Sequence, residues 1–193
     1  MATRRPLVLV SGVVQEMPTG DAVPVANGGT GATTAAAART AIGVAQDGPR
    51  FRAYLPAQTI FLNNTVVTVP LSAETFDPSN AFDATTNYRF QPTVAGYYDL
   101  KWSIVMGGTG NVMTRSVGLL MKNGAERSRA SFAAPTAYTQ MGLQGGDVMF
   151  LNGTTDYVEL AAYGTVSSGT PVLEGVLNST SAQTFLAGHY IGP

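Results

Sequence analysis

Between residues 98 and 106 the sequence YDLKWSIVM places Tyr98, Leu100, Trp102, Ile104 and Met106 at every second position, with Asp99, Lys101 and Ser103 between them. Successive side chains of a β-strand point to opposite faces, so a period of two dries one face and wets the other. A helix would instead return its apolar residues about every 3.6 positions. The stretch is therefore an antiparallel strand with one side on a core. TRSVGLLMKNG, residues 114–124, repeats the pattern: Val117, Leu119 and Met121 point one way, and Ser116, Gly118 and Lys122 the other. It ends at Asn123-Gly124, a dipeptide that tolerates the positive φ angles of a tight hairpin turn. Further strands are predicted over 65–71, 86–92, 146–151, 156–163 and 184–191, with 152–156 as a turn joining two of them. So many strands after residue 48, with no convincing helix among them, require two packed sheets or a closed barrel.

Composition narrows the function classes. Hydrophobic residues make up 45% and charged residues 12% of the 193, which is unlike a disordered chain. Net charge is −1 and no basic stripe is present, so nucleic-acid binding through phosphate neutralisation is not expected. Cysteine is absent, which excludes disulfides and thiolate chemistry. RRPLVLVSGVV superficially suggests a secretory signal, but its apolar run is short, broken by Ser11 and Gly12, and followed by no small-residue cleavage site. It reads better as an extended strand. No run approaches the roughly 18 apolar residues that span a bilayer, so no membrane insertion is expected.

NGGTGATTAAAARTAIG, residues 27–43, puts a glycine-rich loop before an alanine run. A phosphate-binding loop needs a lysine to reach the phosphates, and none follows. A dinucleotide fingerprint fails too, because Thr34 occupies its third glycine position and Pro24 interrupts the preceding strand. What remains is a hinge and a short helix near 33–42, with Thr33 or Thr34 as its cap and Gly43 as its stop. Ten residues of alanine hold no helix alone in water. Copies of the chain about a common axis would supply the partner, through Ala35, Ala38 and Ile42.

Candidate chemistry is sparse, and no cofactor or metal motif is present. His189 is the sole histidine, which excludes a multi-histidine metal site. It shares a predicted strand face with Phe185, Ala187 and Ile191 and reads as structural. Asp147, Asp156 and Glu159 are the carboxylates to consider for glycan cleavage, and they read as solvated strand ends. ERSRASFAAPTAY, residues 126–138, gathers Arg127, Arg129, Phe132 and Tyr138 on what reads as an edge strand and loop. Guanidinium groups and aromatic rings there suit anionic or neutral sugars. Residues 165–183 are rich in Ser, Thr, Gly and Asn and suit a contact loop carrying Asn178 and Thr180.

NGGTGATTAAAARTAIGV resembles the linker that recurs in tail-fibre and other receptor-binding proteins of tailed bacteriophages, where it precedes the distal domain of a homotrimeric fibre. RRPLVLVSGVVQEMPTGDAV is similar to the segment found upstream of it, near the virion-attached end. NYRFQPTVAGYYDLKWSIV, TDYVELAAY and TFLAGHYIG are similar to segments of the TNF-like jelly roll, the fold of the globular heads of complement. Thr155 departs from that family's glycine, and 165–183 is a long insertion relative to it. The resemblance implies an all-β antiparallel jelly-roll knob over 48–193 and a trimeric virion-attachment stalk, an extended strand and short helix, over 1–47. Leu7, Val8, Leu9 and Val10 would dock on another virion protein. Loops 56–64, 92–96, 123–139 and 164–182 would fall at the end away from the stalk. The implied function is a non-enzymatic, homotrimeric tail fibre binding a host-surface glycan or protein. A head fibre, decoration or tail adaptor protein, and a glycan-modifying enzyme, are its rivals.

Overall fold

In a computed structural model, described over residues 7–10, 12–17, 29–42, 48–108, 112–177 and 181–193, the chain divides into two compact units, Met1–Asp47 and Gly48–Pro193. In the first, β1 (Leu7–Val10) pairs antiparallel with β2 (Val13–Glu16), Leu7 opposite Glu16 and Val10 opposite Val13. The single extended strand expected here is therefore a hairpin. Gly12, at φ 83°, turns the chain back where a side chain would be strained. The alanine run forms α1 (Ala35–Ala41), and Thr34 caps it by accepting the Ala37 N–H at 3.1 Å through Oγ1.

The second unit is a sandwich of antiparallel strands. Its first half supplies β3 (Arg50–Tyr54), β4 (Thr59–Ile60), β5 (Val67–Thr68), β6 (Ala73–Phe76), β7 (Phe82–Asp83), β8 (Arg89–Phe90) and β9 (Gly96–Gly108). Four longer strands follow: β10 (Met113–Lys122), β11 (Ala125–Tyr138), β12 (Gln140–Leu151) and β13 (Val158–Val166). The chain closes with β14 (Pro171–Leu173), β15 (Val176–Leu177), β16 (Ser181–Ala182) and β17 (Phe185–Gly192). One sheet runs β11-β10-β13-β8-β7, with β5 also on β13. The other runs β4-β14-β9-β17-β3-β6, with β12 along the remaining edge of β9. Neighbouring strands β15 and β16 form a separate small ladder.

The alternation over 98–106 survives intact: Tyr98, Leu100, Trp102, Ile104 and Met106 are all buried. Phe51 and Phe90 stack at 4.1 Å beneath them, and Phe90 meets Tyr98 edge-on at 5.5 Å. Burial pushes the Tyr98 phenol up to about 12, aided by neighbouring Tyr190, and its O–H donates to the Val94 carbonyl at 2.7 Å. Trp102 sets the spacing between the sheets. A Cβ on Gly118 would lie 2.5 Å from its Cζ3, and one on Gly145 2.6 Å from its Cζ2. Both glycines are empty seats for the indole.

That packing decides which way β10 faces. Ser116, Gly118 and Leu120 point inward, and Val117, Leu119 and Met121 form the outer side with a small cluster of their own. Asn123 and Gly124, at φ 52° and 76°, make the expected hairpin turn to β11. Two expected loops are strand. Residues 126–138 belong to β11, whose small side chains are exposed or half-exposed along its length and so show no apolar period. Within 165–183, Pro171, Val172 and Leu173 are buried as β14, pairing with β4 and the end of β9.

Candidate functional site

The outer face of the sheet containing β10 is built by register. Leu119 stands opposite Arg129 on one side and Ala161 on the other, and Val117 stands opposite Tyr163. Val117 and Leu119 are only 3% and 4% exposed although they lie outside the main core. Their cover is local: Arg115, Arg129, Tyr163 and Val66 rise around them. Arg115, Tyr163 and Asn64 were not singled out from the sequence. Parity alone would have found Arg115, which is two positions before Val117 on the same strand.

The four candidates of the 126–138 segment are divided. Arg129 lies on this outer face and pairs with Glu126 at 2.6 Å. Arg127 falls at a bulge, where the register passes from Leu120–Ser128 to Met121–Glu126. Phe132 stands opposite buried Ser116, on the inward side at the sandwich edge. Tyr138 packs against the main core, 2.9 Å from the Ser116 hydroxyl and edge-on to Phe132 at 5.1 Å. Burial pushes the Tyr138 phenol up, against the opposing hydrogen bond to Ser116. Asn178 and Thr180 lie outside the described residues, as do the side chains of Leu9, Val10 and Ala35. In the first unit Leu7 and Ile42 are exposed, Val8 and Ala38 half-buried.

The other sheet shows a different outer face. Tyr97, Val148 and Phe150 share the side of β9 and β12 that points away from the core, and Ile191 sits at a β17 bulge beside Tyr97. These four are 47%, 53%, 44% and 45% exposed. Tyr97 and Phe150 meet edge-on at 5.5 Å. Farther along, Asp99 pairs with Lys101 at 3.0 Å and Arg52 lies over the Phe185 ring at 4.5 Å. His189 is exposed on this face, which it shares with half-buried Phe185 and Ala187, as the alternation predicts.

The carboxylates are dispersed. Asp156 locks one end of the sandwich: Lys122 Nζ lies 2.8 Å away, Asn123 Nδ2 donates at 2.7 Å, and the Asn152 N–H donates at 3.1 Å. The Lys122 contact, then Asn123, holds its carboxyl below the usual range. Lys122 also donates to the Phe150 carbonyl at 2.7 Å, so this knot joins the two sheets. Glu159 lies on β13 and accepts from Thr68 at 3.5 Å, while Asp147 is on β12 of the opposite sheet. Asp83 is held low mainly by the backbone N–H groups of Thr86 and Thr85, then by the Asn87 side chain, which close a tight loop on it. Among the described residues no group of three His, Cys, Asp or Glu side chains could hold a metal. No described helix is long and apolar enough to cross a membrane.

No protein-family model matches the sequence, and no curated protein matches it. Solved structures do. The globular domain of zebrafish complement 1qA superposes with a TM-score of 0.52 at 17% identity, covering 75% of this chain and 97% of that one. Murine APRIL at pH 5.0 gives a TM-score of 0.49 at 16% identity, covering 74% and 99%. At such identity the complement domain speaks for architecture alone. The two antiparallel sheets and that superposition together make this chain an all-β jelly roll of the TNF-like type.

Proposed function

We propose that the protein is a bacteriophage virion structural protein, a short homotrimeric tail fibre. Its N-terminal unit docks on the particle, and its jelly-roll knob binds a glycan receptor on the host surface. The observation that carries the trimer is the open patch of Tyr97, Val148, Phe150 and Ile191. Contiguous apolar surface on a soluble protein marks an interaction site, and copies of the same chain are always at hand to cover it by closed symmetry. The first unit argues in the same direction. A lone two-stranded hairpin and a seven-residue alanine helix are each marginal in water. Packing about an axis would remove both weaknesses.

The tail-fibre reading is supported by the likeness of residues 4–23 and 27–44 to phage fibre attachment and linker segments. Three weak sites on one axis give useful avidity without any new contact. No catalytic step is needed: Asp156 is committed to the Lys122–Asn123 knot, and Asp147 stands on the other sheet from Glu159.

The test uses the full chain. Purified protein is expected to adsorb to susceptible cells and to block infection, and gold-labelled protein is expected at the tail tip by electron microscopy. Label on the head, with no adsorption, would establish a decoration or adaptor role instead. Release of reducing sugar or acetate from host envelope, abolished by Asp147→Asn or Asp156→Asn, would establish an enzyme.

A further inference from the structure

Val66, Arg115, Val117, Leu119, Arg129 and Tyr163 enclose a groove of about 240 Å³ on the outer face of the six-stranded sheet. We propose that this groove binds a sugar residue carrying a carboxylate. The inference deepens the receptor reading and rests on it only for the source of the sugar, a host-surface glycan.

The groove is built rather than incidental. Val117 and Leu119 lie beneath it, nearly inaccessible, and the surface open to a ligand is Val66, 53% exposed, with the half-buried Tyr163 ring. The Tyr163 ring forms one wall and is fixed by its O–H, which donates to Asn64 Oδ1 at 3.2 Å. Thr165 Oγ1 donates to the same oxygen at 3.0 Å. Asn64 sits in the left-handed region at φ 59°, and its N–H donates to the Gly164 carbonyl at 3.0 Å. Asn63 accepts the Val166 N–H at 3.0 Å. The loop carrying Val66 is thereby tied to β13, and the opposite wall is set before any ligand arrives.

Charge selects the ligand. Arg129 is engaged by Glu126. Arg115 has no carboxylate partner among the described residues; its guanidinium lies 5.6 Å from the Tyr163 ring centroid and its side chain is exposed. A planar guanidinium beside exposed Val66 and the Tyr163 ring fits a carboxylate attached to a compact ring with one C–H-rich face. The volume suits one ring; pockets for drug-sized ligands have about 300 Å³ or more. A neutral sugar would leave Arg115 unpaired, and an aliphatic acid would leave the aromatic wall unused.

Saturation-transfer NMR on the full chain tests this with methyl β-glucuronide as probe, methyl β-glucoside as its neutral counterpart and tri-glutamate as an acidic peptide. The glucuronide is expected to bind with a Kd on the order of millimolar, and the other two to transfer no saturation. Arg115→Gln should weaken glucuronide binding roughly five-fold or more, and Arg115→Lys less, because a lysine cannot grip both oxygens. Val66→Glu, which sets a carboxylate on the rim of the same groove to repel the sugar's or to occupy Arg115, should abolish it. Arg127→Gln, at the bulge, should leave it unchanged. Equal binding of the glucoside, indifference to Arg115→Gln and Val66→Glu, or preferential binding of tri-glutamate would each overturn the proposal. Cell adsorption separates the two readings. Adsorption that persists in Arg115→Gln after glucuronide binding is lost overturns the groove as receptor site and leaves the fibre standing. Glucuronide binding by a protein that never adsorbs supports the groove and removes the host-contact function.

Discussion

The two outward faces of the sandwich carry similar side chains and treat them in opposite ways. On the six-stranded sheet, Val117 and Leu119 are roofed by arginine and tyrosine side chains of the same chain and are 3–4% exposed. On the seven-stranded sheet, Tyr97, Val148, Phe150 and Ile191 have no roof and are 44–53% exposed. Long amphipathic side chains cover apolar surface when they are placed beside it. Gly142 and Gly146 deny this side of β12 such neighbours. The first face is finished by its own chain and leaves a small shaped groove. The second is left open.

Charging the open face gives the largest expected effect. The double variant Val148→Asp, Phe150→Asp should convert the assembly to monomer at micromolar concentration with its β circular dichroism retained, because six like charges would meet around the axis. A matching change on the roofed face, Leu119→Asp, should leave the assembly mass unchanged while lowering stability. If Leu119→Asp dissociated the protein and the double variant did not, the roles of the faces would be reversed.

A smaller effect separates interior from roof on adjacent residues. Leu120→Ala, inside the sandwich, should cost about 3 kcal/mol through lost burial and a residual cavity. Leu119→Ala should cost nearer 1.5 kcal/mol, about the transfer term alone, because flexible arginines can close over the gap. Urea denaturation reads both. Equal costs would mean that Leu119 is core.

Next comes the knot between the sheets. Asp156→Ala should cost about 2 kcal/mol, since it strands the half-buried Lys122 ammonium and removes charge-assisted hydrogen bonds. Acid titration should show the weakest effect. Asp156 and Asp83 are held below the ordinary carboxylate range when folded, so their contribution is complete above an unfolded pKa of about 3.9 and is lost as pH falls below it. Urea midpoints should therefore be level from neutral pH to about 5 and fall below about 4, with a shallower fall in Asp156→Asn.

These faces also mark how far the sequence could be read. Its alternation identified β9, β10, β13 and β17 and which residues share a side, because burial enforces a period of two. Period alone does not say which side is inside. For β10 that was settled by Trp102, a tertiary neighbour that fills the space above Gly118 and leaves the bulkier residues outside. Strand β11 was legible only as an edge strand and loop, because its mostly small side chains are exposed or half-exposed along its length and give no apolar period. The first half of β12 was hidden by glycines that lower strand propensity and yet are required by the indole and the β9 backbone. The candidate site was half legible. Arg129 was visible as a charge beside aromatics, whereas Arg115 and Tyr163 come together only through the β10–β13 register.

In the proposed fibre the open face is closed by copies of the chain. Sedimentation equilibrium of the full-length protein at micromolar concentration tests it directly. A single species at three times the 20.1 kDa chain mass is predicted. A stable, soluble species at 20.1 kDa would contradict it.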